Sequence, residues 1–297
     1  MHCDAIIIGG SFAGLSAAMY LARGRRSVCI VDAGAPRNRF AAHSHGFFAH
    51  DGSEPATMLA TARAQVAAYP TTTFVEGEAV RAARDGDGFS VRLATGEVHH
   101  GARLILAFGI SDELPAIPGL AERWGTSVLH CPYCHGYELS GRRLGVLNTS
   151  PTSMHQAMLI SEWGPATLFL NGAPEPDAAT RAQLHRRRVA IEPAPVRALL
   201  GTGAQLSAVE LSDGRTVDAD AIYLSPRNRL NSDIAQQLGC ATDEAPLGTI
   251  VRTDDVRMTT VPGVFAAGDI VRATHTVAWA SADGVTAGLA AHRSLVF

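Results

Sequence analysis

Short apolar runs that alternate with helical patterns organise the first part of the chain. Residues 5–8 (Ala-Ile-Ile-Ile) form one apolar run, and a glycine-rich turn follows it. Apolar positions then recur with helical spacing through Leu15 and Ala18, and a second apolar run, Val28–Val31, ends at Asp32. This order predicts a strand, a tight turn, a helix and a second strand, which together form the βαβ unit of a parallel α/β sheet.

The glycine-rich turn reads Gly9-Gly10-Ser11-Phe12-Ala13-Gly14 and has the spacing of a dinucleotide-binding turn. Gly9 permits the tight bend, Gly14 lets the helix pack on the strand, and the helix N-terminus faces a pyrophosphate. Ser11 stands where a second glycine is usual, but it is small enough for close backbone approach. Asp32 follows Gly14 by 18 positions, which suits a carboxylate that binds a ribose hydroxyl. A βαβ unit without a ligand is the alternative, and the context at the start of the chain favours nucleotide binding.

Two later apolar runs end in small residues, as strands do where a backbone passes close to a ligand. Leu104–Leu106 continues into Ala107-Phe108-Gly109, and Val264–Ala267 continues into Gly268-Asp269. A Gly-Asp pair in isolation is commonly a turn or a helix N-cap. Three such segments in this order favour a ligand site instead.

Prolines and glycines mark two places where the chain crosses between domains. One lies at residues 115–119 and the other at Ala245-Pro246-Leu247-Gly248. The sequence therefore predicts a first domain in two pieces, 1–111 and 244–297, with a second domain inserted at 112–243.

Cys131 and Cys134 form the candidate reactive group, in the run Cys131-Pro132-Tyr133-Cys134. Thiols at this spacing can close a disulfide, since the bridge needs Cα atoms about 4.4–6.8 Å apart. His130 and His135 flank the pair, and an imidazole can act as a base near neutral pH. A zinc site and a pair of merely structural cysteines are the alternatives. Zinc sites usually draw on two separated ligand pairs, so the pattern favours redox chemistry.

Composition excludes several function classes. The chain has 297 residues, of which 46% are hydrophobic and 18% charged, and its formal net charge is −3. This balance predicts no nucleic-acid partner and no membrane partner. We find no apolar run of the roughly 18 residues that a membrane helix needs, and no secretory signal before the first strand pattern. Five cysteines, an odd number, argue against a framework of structural disulfides. We expect a cytoplasmic protein.

The second domain begins its own strand–turn–helix unit without glycines. The strand Leu144–Leu147 leads into Asn148-Thr149-Ser150-Pro151-Thr152-Ser153, where side chains would crowd a pyrophosphate and Pro151 removes a backbone donor. The next strand, Thr167–Leu170, ends without a basic cluster. Arg186–Arg188 follow only after a helical pattern and suit a solvated helix end. We expect this domain to keep its fold and not to bind a dinucleotide at this turn.

Together, the glycine-rich turn, the two later runs and the Cys-x-x-Cys pair resemble the thioredoxin reductase family of FAD-dependent oxidoreductases over nearly the whole chain. The resemblance implies an α/β protein of two Rossmann-like three-layer domains, with FAD as the cofactor, that forms a homodimer. The implied contacts of the cofactor are Gly9, Ser11, Phe12, Ala13, Gly14, Asp32, Arg37, Asn38, His45, Val80, Ala107, Gly109, Gly268, Asp269, Thr276 and Val277.

The same resemblance implies individual roles. Asp269 would bind the ribityl chain, and the helix that starts near Thr276-Val277 would face the pyrimidine ring of the flavin. Arg37 would face the adenosine phosphate, and His45 would lie near the isoalloxazine. In the dithiol, the second cysteine, Cys134, would lie against the flavin, and the first, Cys131, would exchange with the substrate.

His135 departs from the family pattern, because better-known thioredoxin reductases carry an aspartate there. With no nicotinamide site expected, Cys131–Gly136 resembles the NADPH-independent dithiol oxidases of disulfide natural products such as gliotoxin, holomycin and romidepsin. This implies that His135 or His130 deprotonates a small-molecule or peptide dithiol and that dioxygen takes the electrons from FAD as hydrogen peroxide. A thioredoxin reductase supplied by NADPH or another donor is one alternative. A flavoprotein redox sensor without turnover is another.

Overall fold

The computed structural model describes residues 2–297, so the first residue of the predicted first domain lies outside it. The strands are β1 (His2–Ile8), β2 (Val28–Asp32), β3 (Thr72–Glu76), β4 (Ala79–Asp85), β5 (Gly88–Leu93), β6 (Val98–Leu106), β7 (Ile110–Glu113), β8 (Val128–Leu129), β9 (Leu144–Leu147), β10 (Ala166–Phe169), β11 (Ala190–Glu192), β12 (Val196–Thr202), β13 (Gln205–Leu211), β14 (Thr216–Asp218), β15 (Ala221–Tyr223), β16 (Arg227–Leu230), β17 (Thr242–Ala245), β18 (Gly248–Val251) and β19 (Val264–Ala266). The helices are α1 (Phe12–Arg23), α2 (Pro55–Ala67), α3 (Pro132–His135), α4 (Ser153–Ile160), α5 (Ala178–Arg186), α6 (Ile234–Gln237) and α7 (Val277–Ser294), and 3₁₀ turns span Arg37–Phe40, Ala121–Arg123 and Gly268–Val271.

The first domain is built on a seven-stranded sheet, β1–β6 with β19, and on the helices α1, α2 and α7. The sheet runs β3-β2-β1-β6-β5-β4, and β19 adds to β6 in parallel, with Val264 opposite Leu104. The central strands are continuous apolar runs because they are covered on both faces. The helices cover one face, and the other face shares a core with α6 and β18.

The first and last helices of this domain pack backbone to backbone. A Cβ atom on Gly284 would lie 2.1 Å from the Ala13 carbonyl oxygen, and one on Gly288 would lie 2.7 Å from that of Ala17. Because the contacts advance in the same direction along both helices, from Ala13 and Gly284 to Ala17 and Gly288, α1 and α7 are parallel. Their N-termini therefore point the same way, towards the carboxyl ends of the strands.

The second domain comprises β8–β15 with α4 and α5. Its parallel sheet runs β11-β10-β9-β15-β8, and the antiparallel strands β12-β13-β14 form a separate sheet. One core lies between the parallel sheet and the helices, and a second lies between the parallel sheet and the antiparallel strands. Each domain thus has three layers, which confirms the predicted fold class.

Two neighbouring strands connect the domains. β7 pairs with β16 in antiparallel register, with Ile110 opposite Leu230, and β18 and β17 extend this small sheet. Among the helices of residues 2–297, none has the length and apolar character needed to cross a membrane.

Candidate active site

A cavity of about 680 Å³ lies at the carboxyl ends of β1, β2, β6 and β19. Its volume is in the range of small-molecule and cofactor sites. Its wall includes the N-termini of α1 and α7 and reaches the dithiol in the second domain. A ligand at this edge of a parallel sheet lies where α/β folds commonly bind nucleotides.

The glycine-rich turn forms the floor of the cavity. Gly9 has φ +112°, and a Cβ there would lie 2.1 Å from the Ala107 carbonyl oxygen. A Cβ on Gly14 would lie 1.8 Å from the Gly9 carbonyl oxygen. Ser11 is the N-cap residue of α1, but its side chain makes no capping hydrogen bond. The first N–H groups of the helix are therefore left for a ligand, as at other anion-binding helix starts.

Asp32 lies at the end of β2 and on the cavity wall, as the sequence predicts for a ribose ligand. Its carboxylate accepts hydrogen bonds from Gly34 N and, at 3.3 Å, from Arg63 Nη1. Arg63 comes from α2 and stacks its guanidinium 4.2 Å from the centre of the Phe74 ring. Arg63 could not be predicted from the sequence because no motif surrounds it.

Arg37 bridges two carboxylates on the cavity wall. Its Nε and Nη2 donate to Asp112 at 2.9 and 2.5 Å, and its Nη1 donates to Asp269 at 3.1 Å. Burial would raise the pKa of Asp112, but the hydrogen bonds from Arg37 outweigh it and lower that pKa. Arg37 and Asp269, expected at different parts of the cofactor, thus touch each other. Asp112 was not predicted.

Asn38 supplies an unpartnered donor. Its Nδ2 is buried, and within residues 2–297 it has no hydrogen-bond partner, although it lies in a residue that lines the cavity. Buried amide groups are nearly always satisfied, so this one points to a ligand.

The C-terminal part of the wall consists of Gly268, Asp269 and the start of α7. Thr276 caps this helix, since its Oγ1 accepts a hydrogen bond of 3.0 Å from Trp279 N. His275 also lines the cavity, and burial lowers its pKa. His275 was not predicted.

The dithiol is present as a disulfide between Cys131 and Cys134, with Cα atoms 5.3 Å apart. Cys131 is the N-cap residue of the one-turn helix α3, and Cys134 lies within that helix. Cys134 lines the cavity, whereas Cys131 is absent from its wall. Within residues 2–297, no group of three or more His, Cys, Asp or Glu side chains is placed to hold a metal ion.

Both histidines beside the dithiol line the cavity. The pKa of His130 is lowered from 6.5 to about 3, mainly by burial. The positive charge of Arg37 also lowers this pKa, and its effect is larger than the opposite effect of the Asp112 carboxylate. Burial also lowers the pKa of His135, and His45 acts in the same direction, while Glu138 opposes both. Both imidazoles are therefore neutral at pH 7, and His130 is the much weaker base.

The remaining predicted contacts are brought to the same cavity with two exceptions. Gly14 lies behind the wall, where it packs against the strand. Val80 lines a smaller neighbouring pocket, while Ala79, one residue earlier, lines the main cavity. The predicted contacts on the wall are Gly9, Ser11, Phe12, Ala13, Asp32, Arg37, Asn38, His45, Ala107, Gly109, Gly268, Asp269, Thr276 and Val277.

The corresponding turn of the second domain is closed by its own side chains. Ser153 is fully buried at the start of α4, and its Oγ accepts hydrogen bonds of 3.1 Å from Thr149 N and 3.2 Å from Ser150 N. The Ser150 hydroxyl bonds to Thr152 Oγ1 at 2.8 Å. Side-chain oxygens therefore occupy the donors that a nucleotide phosphate would use.

Comparison with known proteins agrees with this geometry. The family described as pyridine nucleotide-disulphide oxidoreductase matches residues 3–284. The chain belongs to that family.

Several known proteins are similar to the chain over most of its length. The thioredoxin reductase tcpT of Claviceps purpurea is 33% identical over 283 residues, covering 90% of this chain and 86% of that protein. An oxidoreductase from Agrobacterium tumefaciens superposes with a TM-score of 0.96 at 46% identity, covering 100% of this chain and 99% of that one. The structure of HlmI gives a TM-score of 0.93 at 38% identity, covering 99% and 92%.

Family members of the thioredoxin reductase type are FAD-binding flavoproteins. The residues present fit FAD on three observations: the tight glycine turn on the cavity wall, which has no room for a side chain at Gly9, the two parallel helix N-termini and the unpartnered Asn38 amide. Gly9, Phe12 and Ala13 would hold the pyrophosphate, and Asp32 a ribose hydroxyl.

Proposed function

We propose that the chain is an FAD-dependent dithiol oxidase, which forms a disulfide in a small-molecule or peptide dithiol and passes the electrons to dioxygen. The observation that carries this proposal is the closed turn at the start of α4, where Ser153 Oγ takes the N–H groups of Thr149 and Ser150. A dinucleotide needs such donors for its pyrophosphate. The sequence resemblance of Cys131–Gly136 to dithiol oxidases supports the same conclusion.

The chemistry begins with thiol–disulfide exchange. A substrate thiolate attacks Cys131 Sγ, the Cys131–Cys134 bond breaks, and Cys134 leaves as a thiolate. The second substrate thiolate then attacks the substrate sulfur of the mixed disulfide, so that Cys131 leaves and the substrate disulfide forms. When bound, FAD supplies the two-electron transfer from the enzyme dithiol to dioxygen. The sum is one dithiol and one dioxygen converted to one disulfide and one hydrogen peroxide.

His135 is the proposed base. It is neutral at pH 7 because burial lowers its pKa, and it lies on the cavity wall directly after Cys134. It would take the proton of the incoming substrate thiol, since only the thiolate attacks. His130 also faces the cavity, but a pKa of about 3 makes it a poor proton acceptor near neutral pH.

A disulfide reductase of the thioredoxin reductase type is the second candidate. The similarity to the Claviceps purpurea protein, which is named a thioredoxin reductase, favours it. In that case NADPH or another donor would reduce FAD, and electrons would flow from Cys134 to Cys131 and out to a disulfide.

An anaerobic titration of the flavin-loaded protein distinguishes these functions. We expect a simple dithiol such as dithiothreitol to bleach the oxidised flavin absorbance and NADPH to leave it unchanged, with air restoring the colour and forming one peroxide for each dithiol oxidised. Prompt bleaching by NADPH would contradict the oxidase and support the reductase. Bleaching by dithiol without catalytic peroxide under air would leave only a redox sensor.

Two cysteine variants control this titration. Cys131→Ser removes the sulfur that exchanges, so dithiol should no longer bleach the flavin rapidly. Cys240→Ser changes a buried free thiol away from the cavity wall and should behave as the unaltered protein.

The resemblance also leads us to propose a homodimer. Sedimentation velocity at micromolar concentration should then give twice the chain mass, and a single chain mass would contradict the proposal.

A further inference from the structure

The segment 130–136, here named the dithiol turn, is attached to α4 and to the residues that follow it in the second domain. In the middle of α4, Gln156 Nε2 donates a hydrogen bond of 2.8 Å to the His130 carbonyl oxygen. Beyond the C-terminal end of α4, the Trp163 ring packs so closely on Gly136 that a Cβ there would lie 2.8 Å from it. The same ring meets Tyr133 edge to face, with centres 5.7 Å apart. One residue of α4 and one residue after it therefore contact the dithiol turn, on either side of the two cysteines.

Gln156 is the polar half of this attachment. Its side chain is 6% exposed, and its Oε1 accepts a hydrogen bond of 3.3 Å from Ser225 Oγ. The Ser225 carbonyl oxygen accepts in turn from Thr149 Oγ1 at 3.2 Å, within the closed turn that precedes α4. One amide therefore links the closed turn to the dithiol turn, and it uses both its donor and its acceptor.

We propose that Gln156 is a positioning residue that holds Cys131 against Cys134 and so sets the equilibrium between their disulfide and dithiol forms. The proposal rests on the redox role of this pair in the proposed function. It assigns to the second domain a task other than binding a nucleotide.

The physical reason lies in the peptide that joins His130 to Cys131. Gln156 donates a hydrogen bond to the carbonyl oxygen of this peptide. Because the peptide is planar, this hydrogen bond restrains the orientation of the peptide plane and with it the position of the Cys131 Cα. Two backbone hydrogen bonds lie within the dithiol turn. Cys134 N donates to the Cys131 carbonyl oxygen at 3.3 Å, and Gly136 N donates to the Pro132 carbonyl oxygen at 2.7 Å. A disulfide closes only within narrow geometric limits, so a fixed Cys131 raises the effective concentration of one thiol at the other.

The test is the reduction equilibrium of the disulfide in glutathione buffers. After equilibration and acid quench, the protein is unfolded and alkylated, and its intact mass is measured by mass spectrometry. The three other cysteines react in both states, so reduction of the pair adds two alkyl groups. We expect Gln156→Met to favour the dithiol about tenfold, a shift of about +30 mV for a two-electron couple. Gln156→Glu keeps an acceptor for Ser225 but loses the donor to His130, and it should shift the equilibrium in the same direction.

Gln183→Met is the matched control, because Gln183 is an exposed glutamine on α5 of the same domain. The disulfide–dithiol equilibrium of this variant should equal that of the unaltered protein. An unchanged equilibrium in both folded Gln156 variants would overturn the proposal. If Gln156→Met does not fold, Gln156→Glu alone decides. The measurement needs neither substrate nor electron acceptor, so reduction of the flavin by NADPH would refute the oxidase and leave this result standing.

Discussion

His45 Nε2 lies 3.5 Å from Glu138 Oε1, and this contact joins the first domain to the residues just after the dithiol helix. On its other side, His45 Nδ1 lies 3.6 Å from Asp51 Oδ1. His45 and Glu138 act on His135 in opposite directions, since the first lowers its pKa and the second raises it. The proposed base is thus adjusted by one residue from each domain.

This opposition predicts pH profiles that shift in opposite directions. If neutral His135 is the base, kcat/KM for dithiol oxidation falls in acid as His135 is protonated. Glu138→Gln removes the influence that raises the pKa of His135, so the acid limb should move to lower pH. His45→Gln removes one that lowers it, so the limb should move to higher pH. Steady-state rates measured between pH 4 and 8 test this, and shifts of the same sign would exclude His135 as the titrating base.

His130 predicts a loss of stability in acid. Its pKa is about 3 when folded and 6.5 otherwise, so between these values the unfolded chain binds a proton that the folded chain does not. The free energy of unfolding should therefore fall by about 1.4 kcal/mol per pH unit for this one group as the pH decreases from 6.5. Urea unfolding of the apoprotein between pH 4 and 7 measures the slope. His130→Gln should flatten it, and an unchanged slope would show that His130 is accessible to protons in the folded state.

The contact between α1 and α7 predicts a coupled loss of stability and flavin. Gly284→Ala places a Cβ 2.1 Å from the Ala13 carbonyl oxygen, so the two helices must separate. We expect a cost of about 1–3 kcal/mol in unfolding free energy and a lower ratio of flavin absorbance to protein. Leu289→Ala, at a position 44% exposed on the same helix, should change neither. Full flavin content in Gly284→Ala would place the cofactor elsewhere.

The two cysteines predict different spectra. Because Cys134 lines the cavity and Cys131 does not, Cys134→Ser should abolish turnover together with any thiolate–flavin charge-transfer absorbance. Cys131→Ser should also stop turnover but keep or strengthen that absorbance, since the Cys134 thiol is then free. Visible spectra between pH 6 and 9 make the comparison, and the reverse pattern would exchange the two roles.

The glycine-rich turn, the strands that surround it and the dithiol could be predicted from the sequence because each depends on neighbours along the chain. Gly9 has a positive φ and Gly14 packs against the Gly9 carbonyl oxygen, both within a single βαβ unit, so spacing alone identifies them. The absence of glycines between Asn148 and Ser153 was equally readable.

Residues that act across long separations could not be predicted. Asp112 reaches Arg37 from 75 positions away, and Gln156 reaches His130 across two elements. Neither lies in a recognisable motif, and only the packed sheets place them. Val80 shows a smaller effect: on β4 successive side chains face opposite sides, so a shift of one residue moves the contact to Ala79.

The pairing of β19 with β6 and of α7 with α1 has a consequence for the order of folding. The two parts of the cavity wall are separated by the whole second domain, so they meet only after a loop of more than 150 residues has closed. Such distant contacts form slowly, whereas the parallel sheet of the second domain joins strands closer in sequence. We therefore expect the second domain to acquire its structure early in refolding and the wall between α1 and α7 to form late. Flavin added at the start of refolding should be taken up only in the slow phase.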